Sequence, residues 1–142
     1  MIQNLITAFS LMAVCVSIHA GGLALLIALW KKKRLMSLYT GTAQITLLLV
    51  KVAAWMILLH LLQIMVWAVY FFASGAFDDL STSFYFSSVT YTTTGFGDVL
   101  LPDDRRLMGG IQSLTGILMC GVSTGLFFAV FSRTLAKNAA PD

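Results

Sequence analysis

Thr93, Thr94, Gly95, Phe96, Gly97 and Asp98 form the most chemically specific run of the chain. Glycines at alternating positions let a backbone take conformations that L-residues avoid, so successive carbonyls can point the same way. A column of such carbonyls can replace the hydration shell of a bare cation, and a threonine hydroxyl adds one more oxygen below it. The chemistry on offer is therefore cation binding by backbone oxygens, not catalysis. The sequence contains no Glu, no nucleophile paired with a base at workable spacing, no phosphate-binding loop and no cluster of metal-ligating side chains. We expect no enzyme and no cofactor beyond a permeant ion.

The elements around this run belong to a membrane. Of 142 residues, 58% are hydrophobic and only 11% charged, against roughly 45–50% and 25% in soluble domains. Three apolar runs, at 5–30, 43–72 and 107–131, each exceed the roughly 20 residues a helix needs to cross the hydrocarbon. The first is read as a retained helix and not a signal peptide, because its basic residues follow it. Cys15 and Cys120 fall inside spans, which argues against a disulfide framework. Net charge is +3, but the basic residues follow the membrane pattern and build no element that could read a nucleic acid.

Charge sets the orientation. Lys31, Lys32, Lys33, Arg34 and Lys51 lie between the first two spans, and Arg133 and Lys137 follow the third. By the positive-inside rule these segments are cytoplasmic. The remaining loop carries Asp78, Asp79, Asp98, Asp103 and Asp104 with Arg105 and Arg106, and is placed outside. The N-terminus is then outside and the C-terminus inside. Lys31, Lys32, Lys33 and Arg34 serve as an orientation signal and could also meet anionic lipid head groups. Lys51 is expected to snorkel to the surface. Trp30, Trp67, Tyr70, Phe71 and Phe72 are read as interface belts.

Residues 81–92, STSFYFSSVTYT, are too apolar for a solvated loop and too short to span. A re-entrant half-helix fits, with Asp78, Asp79 and Ser81 as N-cap candidates. Its C-terminal end aims the negative end of the helix dipole at the membrane centre, which favours a cation. The non-helical run that follows is tolerated at that depth only where it is buried in protein or lines a water-filled path.

This segment closely resembles the pore loop of potassium channels, whose filter signature reads T-x-G-[YF]-G-D. SFYFSSVTYTTTGFGDVLLP and GILMCGVSTGLFFAV are similar to small bacterial channels built from two helices and a pore loop. The resemblance covers roughly residues 44–133. It implies an all-α membrane protein with three transmembrane helices, a re-entrant pore helix and a selectivity filter, assembled as a homotetramer in the cell membrane. The implied layout is an N-terminal transmembrane helix (1–30), a basic cytoplasmic linker (31–42), a pore domain (43–134) and a short tail (135–142). K+ would bind at Thr93, Thr94, Gly95 and Phe96, with Gly97 completing the filter and Asp98 at the outer mouth. Phe96 stands where Tyr is commoner and removes a hydroxyl. Val89 stands where some relatives place a carboxylate, so no carboxyl contact to Asp98 from that position is expected. The alternatives are a poorly selective Na+/K+ channel and a non-conducting accessory or scaffold subunit.

Other residues take two readings. Gly116 and Gly121 suit an inner-helix hinge, or pack closely on one face with Gly125. Ile117, Cys120, Thr124, Phe128 and Phe131 form a helical stripe that the resemblance places on the cavity, with the two phenylalanines as an apolar gate. Packing against the second span or lipid is the competing role. His60, one turn from Gln63, is either a proton sensor or a neutral imidazole bonded to the hydroxyl-rich pore helix, and the second reading is preferred. His19 carries a weaker signal. The first span has no polar stripe and is expected at the periphery.

Overall fold

A backbone surrounded by lipid must satisfy its hydrogen bonds within its own segment, so long apolar runs become helices. The computed structural model describes residues 2–33 and 41–139, excepting the side chains of 32, 33 and 137–139. Helix α1 is Ile2–Lys33, α2 is Thr42–Ala73, α3 is Leu80–Tyr91 and α4 is Arg106–Ala139, preceded by a 3-10 turn at Asp103–Arg105. There is no strand among the described residues. Helices α1, α2 and α4 are long and apolar enough to cross a membrane. The 32 residues of α2 extend about 48 Å at 1.5 Å per residue, beyond a hydrocarbon layer of roughly 30 Å. Arg34 lies outside the described residues, as do the side chains of Lys32, Lys33 and Lys137, while Lys31 and Lys51 are exposed.

Helix α2 stops in a hydrogen-bonded turn. Ala76 N–H donates to the Phe71 carbonyl at 2.9 Å and Gly75 N–H to that of Phe72 at 3.0 Å. This pairing needs a left-handed residue after the cap, and Gly75 supplies it at φ 67°. The turn sends α3 back alongside the end of α2. The Phe86 ring meets Phe71 edge-on at 5.5 Å and Phe77 at 5.1 Å. Arg105 Nη1 then donates to the Ser74 carbonyl at 2.8 Å and to its hydroxyl at 2.9 Å, pinning the start of α4 to the end of α2.

That return path corrects the interface-belt expectation. Trp67 and Phe71 are fully buried, in a cluster with Ala8, Cys15, Phe86, Leu101 and Met108. Apolar side chains at one end of α2 cannot all face lipid once a second helix is laid over them. Tyr70 and Trp30 are half-buried, and Phe72 is exposed.

Helix α1 packs against both α2 and α4. A Cβ at Gly22 would displace the Leu59 side chain, so α1 and α2 are in close contact there. Trp55 Nε1 donates to the Gly22 carbonyl at 3.1 Å. At the other end Asn4 Nδ2 donates to the Asp104 carbonyl at 2.7 Å, so the N-terminus lies at the end of the molecule that carries the α3 loop. A second apolar cluster, Leu48, Val52, Met56 and Val130, fills the opposite end between α2 and α4. Between the two clusters lies a polar layer.

Candidate functional site

The short helix forms because its N-terminus is capped. Thr82 N–H donates to Asp79 Oδ1 at 2.8 Å, and the Thr82 hydroxyl to Oδ2 at 2.7 Å. These bonds hold the exposed Asp79 carboxyl below its ordinary range. Of the three candidates, Asp79 is the N-cap residue. Its charge complements the positive end of the helix dipole.

Past Tyr91 the backbone is tied to the last turn of α3. Thr93 N–H donates to the Thr90 carbonyl at 3.0 Å, and Thr94 and Gly95 both donate to that of Val89, at 2.9 and 3.1 Å. The Thr92 hydroxyl donates to the Ser88 carbonyl at 2.8 Å and meets the Thr94 hydroxyl at 3.0 Å. The chain then alternates in hand: Thr93 has φ 62°, Gly95 φ 55° and Gly97 φ 78°. Thr93 is the sole non-glycine with positive φ among the described residues, a conformation costing an L-residue about 1–2 kcal/mol. Such strain persists where surrounding structure enforces it, typically at a working site. Among the described residues, no hydrogen bond within the chain takes up the carbonyls of Thr93, Thr94, Gly95, Phe96 or Gly97. All five residues are exposed, Phe96 to 69%.

Asp98 has a partner that the sequence did not reveal. The Tyr85 hydroxyl donates to Asp98 Oδ2 at 2.6 Å. The bond holds the Asp98 carboxyl below its ordinary range, and the carboxylate pushes the Tyr85 phenol above its own. A tie from Val89 is absent, as its side-chain chemistry dictates, but Tyr85, one turn earlier, supplies one. The signal available was that Tyr85 carries a hydroxyl where its neighbours Phe84 and Phe86 do not.

Helix α4 backs this assembly. Ser113 Oγ donates to the Thr90 carbonyl at 2.9 Å. A Cβ at Gly116 would collide with the Tyr91 carbonyl, so α3 and α4 are in backbone contact there. The close-packing reading holds at Gly116. It does not hold within the chain at Gly121 or Gly125, where an added Cβ would meet nothing within 4 Å. Helix α4 runs unbroken past Gly116 and Gly121.

The proposed stripe is unpartnered. Ile117, Cys120, Thr124, Phe128 and Phe131 are all exposed, Ile117 to 59% and Phe128 to 67%. Phe127, by contrast, is half-buried against the Leu48–Val52–Met56 cluster. Phe128, at 67% exposure, thus presents most of its ring away from the chain, and Phe131 a smaller part at 38%. Behind the stripe, a cavity of about 290 Å³ between α2 and α4 is bounded by His60, Ser123, Cys120 and Thr124.

His60 is bonded to the pore-helix candidate as preferred, its Nδ1 lying 2.9 Å from the Tyr91 hydroxyl. Its Nε2 meets Ser123 Oγ at 3.0 Å. His19, given little weight from sequence, is equally engaged: Nε2 is 3.1 Å from Ser123 Oγ and Nδ1 is 2.8 Å from Gln63 Nε2. An apolar helix with a single buried polar side chain shows no stripe, so the role of His19 escaped pattern reading.

Comparison with known proteins adds a separate line. The sequence profile of a family described as "Ion channel" matches residues 45–133, from α2 through most of α4, and leaves α1 outside. The potassium voltage-gated channel protein Shal of Drosophila melanogaster is 31% identical over 68 residues, covering 46% of this chain. The chain spans 12% of that relative's length. No solved structure matches.

Proposed function

Because the chain belongs to the potassium-channel pore-loop family of ion channels, we propose that it conducts K+ passively and selectively across the cell membrane. The observation that carries this reading is the alternation of positive φ at Thr93, Gly95 and Gly97 in a run whose carbonyls accept no hydrogen bond among the described residues. Alternating hand turns successive carbonyls toward one side, and a stack of such oxygens suits a dehydrated monovalent cation. Thr93, Thr94, Gly95 and Phe96 would bind K+, and Asp98 would concentrate cations at the outer mouth.

One chain offers oxygens on one side of the ion only. Four copies around an axis close the ring, so the working unit is a homotetramer with α3 re-entering from outside. The exposed stripe of Ile117, Cys120, Thr124, Phe128 and Phe131 would then line the axis below the filter. The N-terminus would lie outside, and Lys31, Lys32, Lys33 and Arg34 would meet cytoplasmic head groups, anionic ones included.

The test is flux from proteoliposomes under opposed K+ and Na+ gradients, with native mass measurement alongside. Selective K+ flux from a four-chain particle is expected. Equal Na+ and K+ flux would replace the proposal with a poorly selective channel, and no flux with an accessory or scaffold role.

A further inference from the structure

Five side chains from all four helices close a hydrogen-bonded ring in the polar layer: His19 of α1, Gln63 and His60 of α2, Tyr91 of α3 and Ser123 of α4. Gln63, Tyr91 and His19 are almost wholly buried. With His60 neutral, the direction of every bond follows from one carbonyl. Gln63 Nε2 lies 3.0 Å from the Leu59 carbonyl, which only accepts, so the amide nitrogen must face it and the same NH2 group donates its second proton to His19 Nδ1. A neutral His19 accepting there carries its proton on Nε2 and donates it to Ser123 Oγ. The Tyr91 hydroxyl has one proton and gives it to Gln63 Oε1 at 3.0 Å, so it accepts from His60 Nδ1. His60 Nε2 then accepts from Ser123. Around the ring each group donates once and accepts once, in one sense. Both imidazoles are neutral and of opposite tautomers: His19 protonated at Nε2, His60 at Nδ1.

We propose that His19 is a positioning residue of the ion filter, acting through Gln63 and Ser123 on Tyr91, so that α1 is a working part of the pore. Tyr91 ends α3, directly before the residues whose backbone alternates in hand. Its carbonyl is pressed against Gly116, and its hydroxyl is held by the ring. The last turn of α3 is thus gripped on two sides, by α4 backbone and by a ring that α1 completes. The filter amides of Thr93, Thr94 and Gly95 hang on that turn. Removing any ring member leaves a buried donor or acceptor facing nothing, and the remaining members must turn to satisfy it. The family match begins at residue 45, so this support is added by a helix outside the matched region.

The inference rests on the proposed conduction, and the experiment separates the two. Wild type, His19→Phe, Ser123→Ala and Ser123→Thr are purified as assemblies. Three quantities are measured: the K+/Na+ permeability ratio, hydrogen exchange of the 93–97 amides, and imidazole 15N shifts. Ser123→Thr keeps the hydroxyl and should retain wild-type values. His19→Phe and Ser123→Ala should each lower the permeability ratio about fivefold, the size expected of one interhelical hydrogen bond in a membrane protein, and speed filter exchange similarly. The double variant should be no worse than either alone, since both open one ring. Wild-type shifts should report Nε2–H at His19 and Nδ1–H at His60. Variants that lose only thermal stability, with unchanged permeability and exchange, would overturn the inference and leave the ring as packing. If wild type fails to discriminate K+, the conduction proposal falls. Filter exchange and the tautomers then decide the inference: unchanged exchange or the same tautomer at both imidazoles overturns it. Should His19→Phe not assemble, Ser123→Ala against Ser123→Thr carries the same decision.

Discussion

The Tyr85 hydroxyl and the Asp98 carboxylate meet at 2.6 Å, joining the middle of α3 to the far end of the oxygen-rich run. The bond holds Asp98 below the ordinary carboxylate range. A lowered native value means the interaction is fully present above the ordinary value and is lost as pH falls through the native one. Tyr85→Phe removes the donor, so Asp98 should protonate at higher pH than in wild type. We expect the variant's K+ current to fall off on external acidification earlier than wild type's. Superimposable acid titrations of the two would show that the bond does not govern the charge at the mouth.

Gly97 makes the second prediction. At φ 78° it occupies a region that costs an L-residue about 1–2 kcal/mol. An added Cβ there meets nothing within 4 Å among the described residues beyond its chain neighbours, so the expected effect of Gly97→Ala is one of backbone conformation and not of a clash within the subunit. The variant should assemble normally yet lose K+ preference, because relaxing φ swings the adjoining carbonyl away. Reversal potentials under mixed K+ and Na+ check this. An unchanged ion preference would mean that the left-handed backbone at this position is not what discriminates.

Gly116 and Gly121 supply a paired test. Gly116→Ala drives a methyl into the Tyr91 carbonyl, whereas Gly121→Ala meets open space. Overpacking of this kind costs about 1–3 kcal/mol. Gly116→Ala should lower the thermal midpoint and disturb conduction together, since the displaced group is the end of α3. Gly121→Ala should be near neutral or slightly stabilising, alanine being the better helix former. If Gly121→Ala alone alters opening while Gly116→Ala is silent, the hinge reading of Gly121 gains over the packing reading of Gly116.

The sequence exposed those parts of the molecule whose physics is local. Three apolar runs marked three long helices, and Asp78, Asp79 and Ser81 at the head of a hydroxyl-rich segment marked the region where α3 starts, of which Asp79 is the cap. Alternating glycines located two of the three left-handed residues. Thr93 was chosen for its hydroxyl, and its strained backbone could not be read from a residue type that normally avoids it. Tyr85, His19 and Ser123 work through partners 13, 44 and 104 positions distant. No periodicity encodes such pairs, because each joins side chains on different elements that only the folded chain brings together. Trp67 and Phe71 were misread for the converse reason. In a membrane protein an aromatic at a helix end looks the same whether lipid or another helix covers it, and only the turn at Gly75 decides.

The last prediction concerns Phe128 and Phe131. Both are exposed and lie on the same side of α4 as Ile117, Cys120 and Thr124, while Phe127 packs toward α2. The competing role assigned these side chains to packing against α2 or lipid, and within one chain Phe128 is 67% and Phe131 38% exposed. What remains is lipid, a second copy, or the axis of a tetramer. Around an axis, four Phe128 or four Phe131 rings form an apolar collar. A narrow apolar collar blocks ions by excluding water, with no charged group needed. Serine at either position would wet the collar, so Phe128→Ser or Phe131→Ser should raise resting K+ flux while leaving ion preference intact, because the 93–97 run is untouched. A packing role predicts the opposite signature: lower thermal stability of the assembly and no added flux. Flux and thermal midpoint measured on both variants distinguish these roles. Two destabilised variants that conduct no more than wild type would remove the apolar gate from this level of α4.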